Sequence, residues 1–155
     1  MIVDMRVVIQ RVKSASVRVE AENYDSGIGK GLMVLAAFEN GDVEADIDWM
    51  TRKICALRVF DDGNGVMNLS VRDVNGDVMI VSQFTLYAST SHGNRPSYIR
   101  AARPDVSAPL YELFCKKVSD SLGQPVARGI FGADMQVSLV NDGPVTIIID
   151  SKTRE

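Results

Sequence analysis

Val78-Met79-Ile80-Val81-Ser82-Gln83-Phe84-Thr85-Leu86 is the stretch on which the fold of this chain turns. Its first four residues are apolar and mostly β-branched, the composition of a strand covered on both faces. The run then changes character: Ser82, Gln83 and Thr85 place two hydroxyls and an amide where the apolar run ends. Polar groups at the end of a buried strand must be hydrogen-bonded or used by a ligand. The stretch therefore predicts a central strand from Val78 to Leu86 with a polar terminus. Read alone, that terminus is either a hydrogen-bond cluster closing the strand or part of a site.

Outward from it, Gly31 opens a second buried strand, Leu32-Met33-Val34-Leu35-Ala36-Ala37-Phe38. Met5 to Lys13 and Ser16 to Glu20 alternate and predict two more strands, with Asn23 to Ser26 as a turn. Asn75-Gly76, a hairpin dipeptide, predicts that Met67 to Val71 pairs with Val78 to Leu86. Near the C-terminus, Gln136 to Val140 and Val145 to Ile149 predict strands flanking Asn141-Asp142-Gly143-Pro144. Two amphipathic helices complete the pattern. One carries Val43, Ile47, Met50, Ile54 and Leu57 at helical spacing behind Asp42 as N-cap. The other carries Leu110, Phe114, Val118 and Leu122, with Ser107 as cap, Pro109 in the first turn and Gly123 as terminator. Between strand and second helix, Tyr87 to Asp105 is irregular and holds His92, Arg95, Arg100 and Arg103 with no acid before Asp105. Long ordered loops are often functional, and a basic one can meet phosphates.

The chain has 155 residues, 46% hydrophobic and 24% charged, which predicts a single globular domain over residues 1–155. No apolar run has the length of a membrane span, and Asp4 falls where a secretory signal would be apolar, so the cytosol is the expected compartment. The net charge is −3, which argues against coating long nucleic acid by bulk charge but leaves room for a local patch. Cys55 and Cys115 form no CxxC and fall in the two predicted helices, so reduced, buried thiols are expected rather than a disulfide. His92 is the single histidine. Neither a His/Cys cluster nor an acidic motif has metal-ligand spacing, and no metal or cofactor is expected.

Ser82-Gln83-Phe84-Thr85-Leu86 together with Asn141-Asp142-Gly143-Pro144-Val145-Thr146 resembles the D-aminoacyl-tRNA deacylase family. Further similarities are Arg6-Val7-Val8-Ile9-Gln10-Arg11-Val12, Met67-Asn68-Leu69-Ser70-Val71, Arg95-Pro96-Ser97, and Phe131-Gly132-Ala133-Asp134-Met135-Gln136-Val137. They run in order along nearly the whole chain, with Met1 to Asp4 as an addition. Pattern alone gives only a mixed α/β chain; the resemblance implies three layers, two of β-structure and one of helices. It also implies a homodimeric proofreading hydrolase, without cofactor, that cleaves the ester joining a D-amino acid to tRNA. In the family a Gly-cisPro element enters the neighbouring subunit and excludes L-amino acids, which here places Gly143 and Pro144. Glycine has no side chain to exclude, so tRNA charged with glycine is implied as a second substrate. Arg11 matches an arginine beside the Gly-Pro element, and Phe131 and Met135 match positions near the terminal adenosine. Val66 replaces the family's usual lysine before Met67-Asn68.

The residues constrain the chemistry independently. Ser82 or Thr85 needs a base to act as nucleophile, His92 is the only imidazole, and no G-x-S-x-G elbow is present. Hydrolysis is then expected to draw on backbone donors around Gln83, Phe84 and Thr85 and on the substrate's ribose hydroxyl. A nucleophilic Thr85 stays open. Two other classes remain: a non-catalytic nucleic-acid-binding module, and a Ser/Thr esterase that depends on His92.

Overall fold

In the computed structural model, which describes residues 5–41 and 44–155, the elements follow as β1 (Met5–Val19), β2 (Tyr24–Ile28), β3 (Gly31–Phe38), α1 (Glu44–Ala56), β4 (Phe60–Asp61), β5 (Met67–Leu69), β6 (Asp77–Ser82), α2 (Pro104–Leu122), β7 (Ala127–Arg128) and β8 (Gln136–Asp150). Short 3-10 helices occupy Glu20–Glu22 and Phe84–Tyr87. The expected N-cap Asp42 and the stripe residue Val43 lie outside the described residues.

The quoted stretch is the central strand. β6 pairs with β3 in parallel, from Gly31 opposite Asp77 to Ala36 opposite Ser82, and with β7 on its other side. Parallel neighbours need a long crossover, and α1 lies within it. Alternate side chains of the pair enter two different cores. Leu32, Val34, Ala36, Val78 and Ile80 pack under the helices with Ile47, Met50, Ile54, Phe114 and Val118. Met33, Met79 and Val81 pack on the opposite face with Val12, Ala15 and Val17. Burial on both faces is the physical reason for two unbroken apolar runs. At the start of the pair a β-carbon on Gly31 would stand 1.8 Å from the Asp77 carbonyl oxygen, so only glycine fits there.

The second β-layer comes from β1. Its first half pairs with β3, and its second half, Ala15 to Val19, pairs with β2. The chain folds over at exposed Lys13 and Ser14, carrying Ala15 and Val17 onto the far face of β3 and β6. Tyr24 Oη of β2 donates to the Arg128 carbonyl of β7 at 2.6 Å, which draws the two ends of the curled sheet together. β8 runs antiparallel along the outside of β1. The result is the expected mixed α/β fold: a helical layer, the β3–β6 sheet, and the curled half of β1 with β2 and the start of β8.

Several expectations change, among them the two C-terminal strands, which are the single strand β8. The two N-terminal strands are one strand, because the polar Lys13-Ser14 break is a bend rather than an end. The expected turn at Asn23 to Ser26 is left-handed only at Asn23, and β2 begins at Tyr24. The hairpin does not form: both edges of β6 are taken by β3 and β7, so β5 pairs with β4 instead. Asn75 does adopt the left-handed conformation, but within a wider turn where Ser70 N–H donates to Asp73 and Asp73 N–H donates back to the Ser70 hydroxyl. Finally, α2 starts at Pro104 rather than after Ser107. The Ser107 hydroxyl donates back to the Arg103 carbonyl at 3.0 Å, and Pro109 lies inside the helix. Gly123 ends it in the left-handed conformation as expected.

Candidate active site

β6 stops at Ser82, four residues short of the predicted strand end. The Gln83 N–H makes a last bond to the Ala36 carbonyl at 2.8 Å, and the chain then winds into the 3-10 helix Phe84–Tyr87. Arg6 holds that helix: its guanidinium donates to the Leu86 carbonyl at 2.9 Å, pairs with Asp150 at 2.7 Å, and lies over the buried Tyr87 ring.

A cavity of about 490 Å³ opens where β3 and β6 end. Its floor is Ala36 to Phe38 with Val81 to Phe84; its walls are Tyr98, Ala101, Ala102, Pro104 and Ser107 on one side, and Phe131 to Met135 with Val137 on the other. The surroundings are mainly apolar, with Ser82, Gln83, Ser107 and Asp134 as polar points, the composition of a small-molecule site. Phe131 leans on Tyr111 at 5.9 Å between ring centroids, and the Tyr111 hydroxyl donates to the Ile80 carbonyl at 2.7 Å. Burial pushes the Tyr111 phenol well above its ordinary range, so it stays a donor and fixes the wall.

Five of the nine expected residues therefore meet at one cavity: Ser82, Gln83, Phe84, Phe131 and Met135. Thr85 is adjacent but not in the wall; its hydroxyl accepts a hydrogen bond from the Gln83 amide. The Gln83 N–H is already committed to Ala36, which leaves Phe84 and Thr85 N–H at the first turn of the 3-10 helix, where a helix offers no acceptor. His92 is exposed, in the turn beyond the Ser89–Ser97 bridge, and is not part of the cavity wall.

Arg11, Gly143 and Pro144 form a second constellation. Along β1 and β8, Gln10 faces Thr146 and Val12 faces Asn141, so Arg11 alone stands opposite four residues, 142–145. These four loop out as a wide bulge. Arg11 is buried; its Nε donates to the Asp142 carbonyl at 3.0 Å and its Nη1 to the Val59 carbonyl at 2.6 Å. The Asp61 and Asp142 carboxylates each approach it to 3.7 Å. Asn141 braces the bulge, accepting from Val145 N–H at 3.1 Å and donating to the Thr146 hydroxyl at 3.2 Å. The Gly143–Pro144 bond is cis and both residues are exposed. Val137 is the β8 residue in the cavity wall. Gly143 lies six residues further along, about 20 Å of extended strand, and does not reach the cavity of its own chain.

The sequence did not single out Tyr98, Ser107 or Asp134 as wall residues. Only the basic character of residues 87–105 drew attention to that segment, whereas Tyr98 closes the cavity through an edge contact with Phe84 at 5.1 Å.

A family model described as D-Tyr-tRNA(Tyr) deacylase matches residues 8–150. The chain belongs to this deacylase family. Curated relatives named D-aminoacyl-tRNA deacylase include one from Flavobacterium johnsoniae, 58% identical over 97% of this chain and 100% of that protein. Another, from Dechloromonas aromatica, is 60% identical over the same shares. Among solved structures, one described as c-Myc DNA Unwinding Element Binding Protein is 37% identical, with a TM-score of 0.86, covering 93% of this chain and 97% of that one. A structure described as a probable eukaryotic D-amino acid tRNA deacylase shares the fold at 19% identity and a TM-score of 0.84 over 95% of this chain and 99% of that one. Among the described residues no helix is long and apolar enough to cross a membrane, and no group of three or more His, Cys, Asp or Glu is placed to hold a metal ion.

Proposed function

We propose that this member of the family is a proofreading D-aminoacyl-tRNA deacylase, acting in the cytosol as a homodimer. It hydrolyses the ester between a D-amino acid, or glycine, and the terminal ribose of tRNA. The observation that carries this reading is the cavity that gathers Ser82, Gln83 and Phe84 against Phe131 and Met135, in a chain so similar to named deacylases. Phe131 and Met135 offer an aromatic face and a soft thioether to the terminal adenine. The exposed bulge at Gly143-Pro144 is carried away from its own cavity and is free to close the cavity of a second copy. There a main-chain wall blocks the position of an L side chain and leaves the hydrogen of a D residue or glycine undisturbed. Sizing at micromolar concentration is expected to return a dimer; a monomer contradicts the cross-subunit site.

The cavity wall holds no imidazole, so the substrate supplies part of the chemistry. The vicinal ribose hydroxyl orients the attacking water, and the carbonyl oxygen collects negative charge as the tetrahedral intermediate forms. Phe84 and Thr85 N–H are the backbone donors left to receive that charge. The carbon–oxygen bond to the tRNA then breaks, and the ribose oxygen leaves with the proton given up by the attacking water, passed across the vicinal hydroxyl. Thr85→Ala and His92→Ala are accordingly expected to keep deacylation within about tenfold of the parent, whereas loss of a general base costs about 10²–10⁴-fold. A folded Thr85→Ala protein devoid of activity would point to a threonine nucleophile instead.

The deciding measurement compares release of D- and L-tyrosine from charged tRNA. Selective release of the D enantiomer supports the reading. The relative named for binding a DNA-unwinding element supports a second one, a nucleic-acid-binding module. Salt-dependent binding of duplex DNA with no release of either enantiomer would favour that alternative.

A further inference from the structure

Beside the face of α1 that meets the core, Trp49, Arg52, Lys53, Ala56, Leu57 and Arg58 line a shallow groove of about 330 Å³, and Trp49 and Leu57 also pack against that core. Arg52, Lys53 and Arg58 are exposed. Neither Arg52 nor Lys53 belongs to any ion pair among the described residues, although α1 is acidic at its start. The acids in the first five residues of α1 are engaged elsewhere: Asp46 by Lys152, and Glu44 and Asp48 by Lys117. Arg58 donates through Nε to the Asn68 carbonyl at 2.9 Å and keeps its charge facing outward, with Asp73 as its acidic neighbour.

An aromatic ring positions two cations here, Lys53 and Arg154. Lys53 Nζ lies 5.5 Å and the Arg154 guanidinium 4.1 Å from the centre of the Trp49 ring. A carboxylate partner cancels a charge while positioning it. A π face positions the cation and leaves its full charge to act on solvent. The groove thus carries three cations, Arg52, Lys53 and Arg58, with Arg154 over the same Trp49 ring, in a protein whose net charge is −3.

The patch is also tied to the bulge. Arg58 is followed by Val59, whose carbonyl accepts from Arg11 Nη1, and Arg11 Nε holds Asp142 beside Gly143-Pro144. Arg11 thus links the end of the groove to the bulge through two hydrogen bonds. Resting on the reading above, in which the bulge of one protomer covers its partner's cavity, we infer that this groove grips the phosphate backbone of the tRNA whose aminoacyl end lies in that partner cavity. Each RNA is then held by both copies: its end by one, its backbone by α1 of the other.

The test is Arg52→Ala/Lys53→Ala assayed on two esters, D-tyrosyl-tRNA and D-tyrosyl-adenosine, the second of which has no phosphate. On the tRNA, KM is expected to rise about tenfold with kcat within twofold, and the dependence of log kcat/KM on log salt to flatten by about 2, one unit for each phosphate that no longer meets a cation. On the adenosine ester the variant should match the parent. Lys116→Glu, which changes net charge by the same amount on an exposed site of α2, should leave KM and salt slope unchanged. An unaltered KM and slope on tRNA overturns the inference, as does an equal effect of Lys116→Glu. Weakened binding of duplex DNA with an unchanged KM for tRNA overturns it too and assigns the groove to DNA. A parent protein that cleaves neither ester overturns the deacylase reading itself, so the two failures are told apart.

Discussion

Gly143→Val is expected to lower kcat/KM for D-aminoacyl-tRNA by about 10²-fold while leaving the fold intact, the scale on which displacement of a positioning element by about 1 Å acts. Gly143 has φ of +130°, a conformation that side-chain-bearing residues rarely adopt. A β-carbon there would stand 2.9 Å from Arg11 Nη2 and 3.0 Å from Val145 Cγ2. Arg11 cannot step aside, because its Nε and Nη1 are committed to the Asp142 and Val59 carbonyls. The bulge must move instead. Under the proposed cross-subunit site two readings change together: D-aminoacyl-tRNA is cleaved slowly, and the ratio of D to L cleavage falls because the wall that blocks the L side chain has shifted. The thermal unfolding midpoint should fall by only a few degrees, since residues 142–145 make no ladder pairs with β1 and the strain stays within the bulge. Parent-like rate and selectivity in the folded variant would remove Gly143 from the site.

Arg11→Met should cost stability as well as activity. Arg11 is 8% exposed, and its guanidinium bonds two carbonyls from different parts of the chain, Asp142 of β8 and Val59 after α1. Methionine fills much of the volume but satisfies neither carbonyl, and leaving buried acceptors unpaired costs about 1–3 kcal/mol each. The expected loss is about 2–6 kcal/mol in denaturant unfolding, read as a lower midpoint at unchanged slope. Deacylation should fall further than stability explains, because the bulge loses its anchor. Arg11→Lys is expected to recover only part of each loss: a single ammonium on a flexible stem does not reproduce a planar fork aimed at two acceptors. An unchanged midpoint in Arg11→Met would mean that water replaces the guanidinium without penalty.

What was legible in the sequence follows from which forces are local. The unbroken apolar runs of β3 and β6 announced strands buried on both faces, and the stripe of Ile47, Met50 and Ile54 announced α1, because each pattern is the imprint of the surface it packs against. Pairing was less legible. Asn75-Gly76 carries true turn chemistry, yet whether β5 or β3 lies beside β6 depends on residues more than thirty positions away. The bend in β1 reads as a gap between strands because Lys13 and Ser14 look the same in a loop and in a fold-over. At the candidate site, chemistry-bearing residues such as Gln83 and Gly143 stood out, since amides and Gly-Pro pairs are unusual in strands. Tyr98 and Ser107 did not, because their place in the wall comes from the path of an irregular segment that no periodicity encodes.

Among the described residues β8 has a neighbour on one side only, and Val137, Val140 and Ile148 are exposed along it. An uninterrupted ribbon of that kind is a template onto which stray extended polypeptide can zip. The four-residue excursion opposite Arg11, with a proline at its crest, cuts the ribbon into two short pieces, 136–141 and 146–150. A kink in the ladder thus guards the molecule against runaway strand addition, whatever else its glycine and proline do.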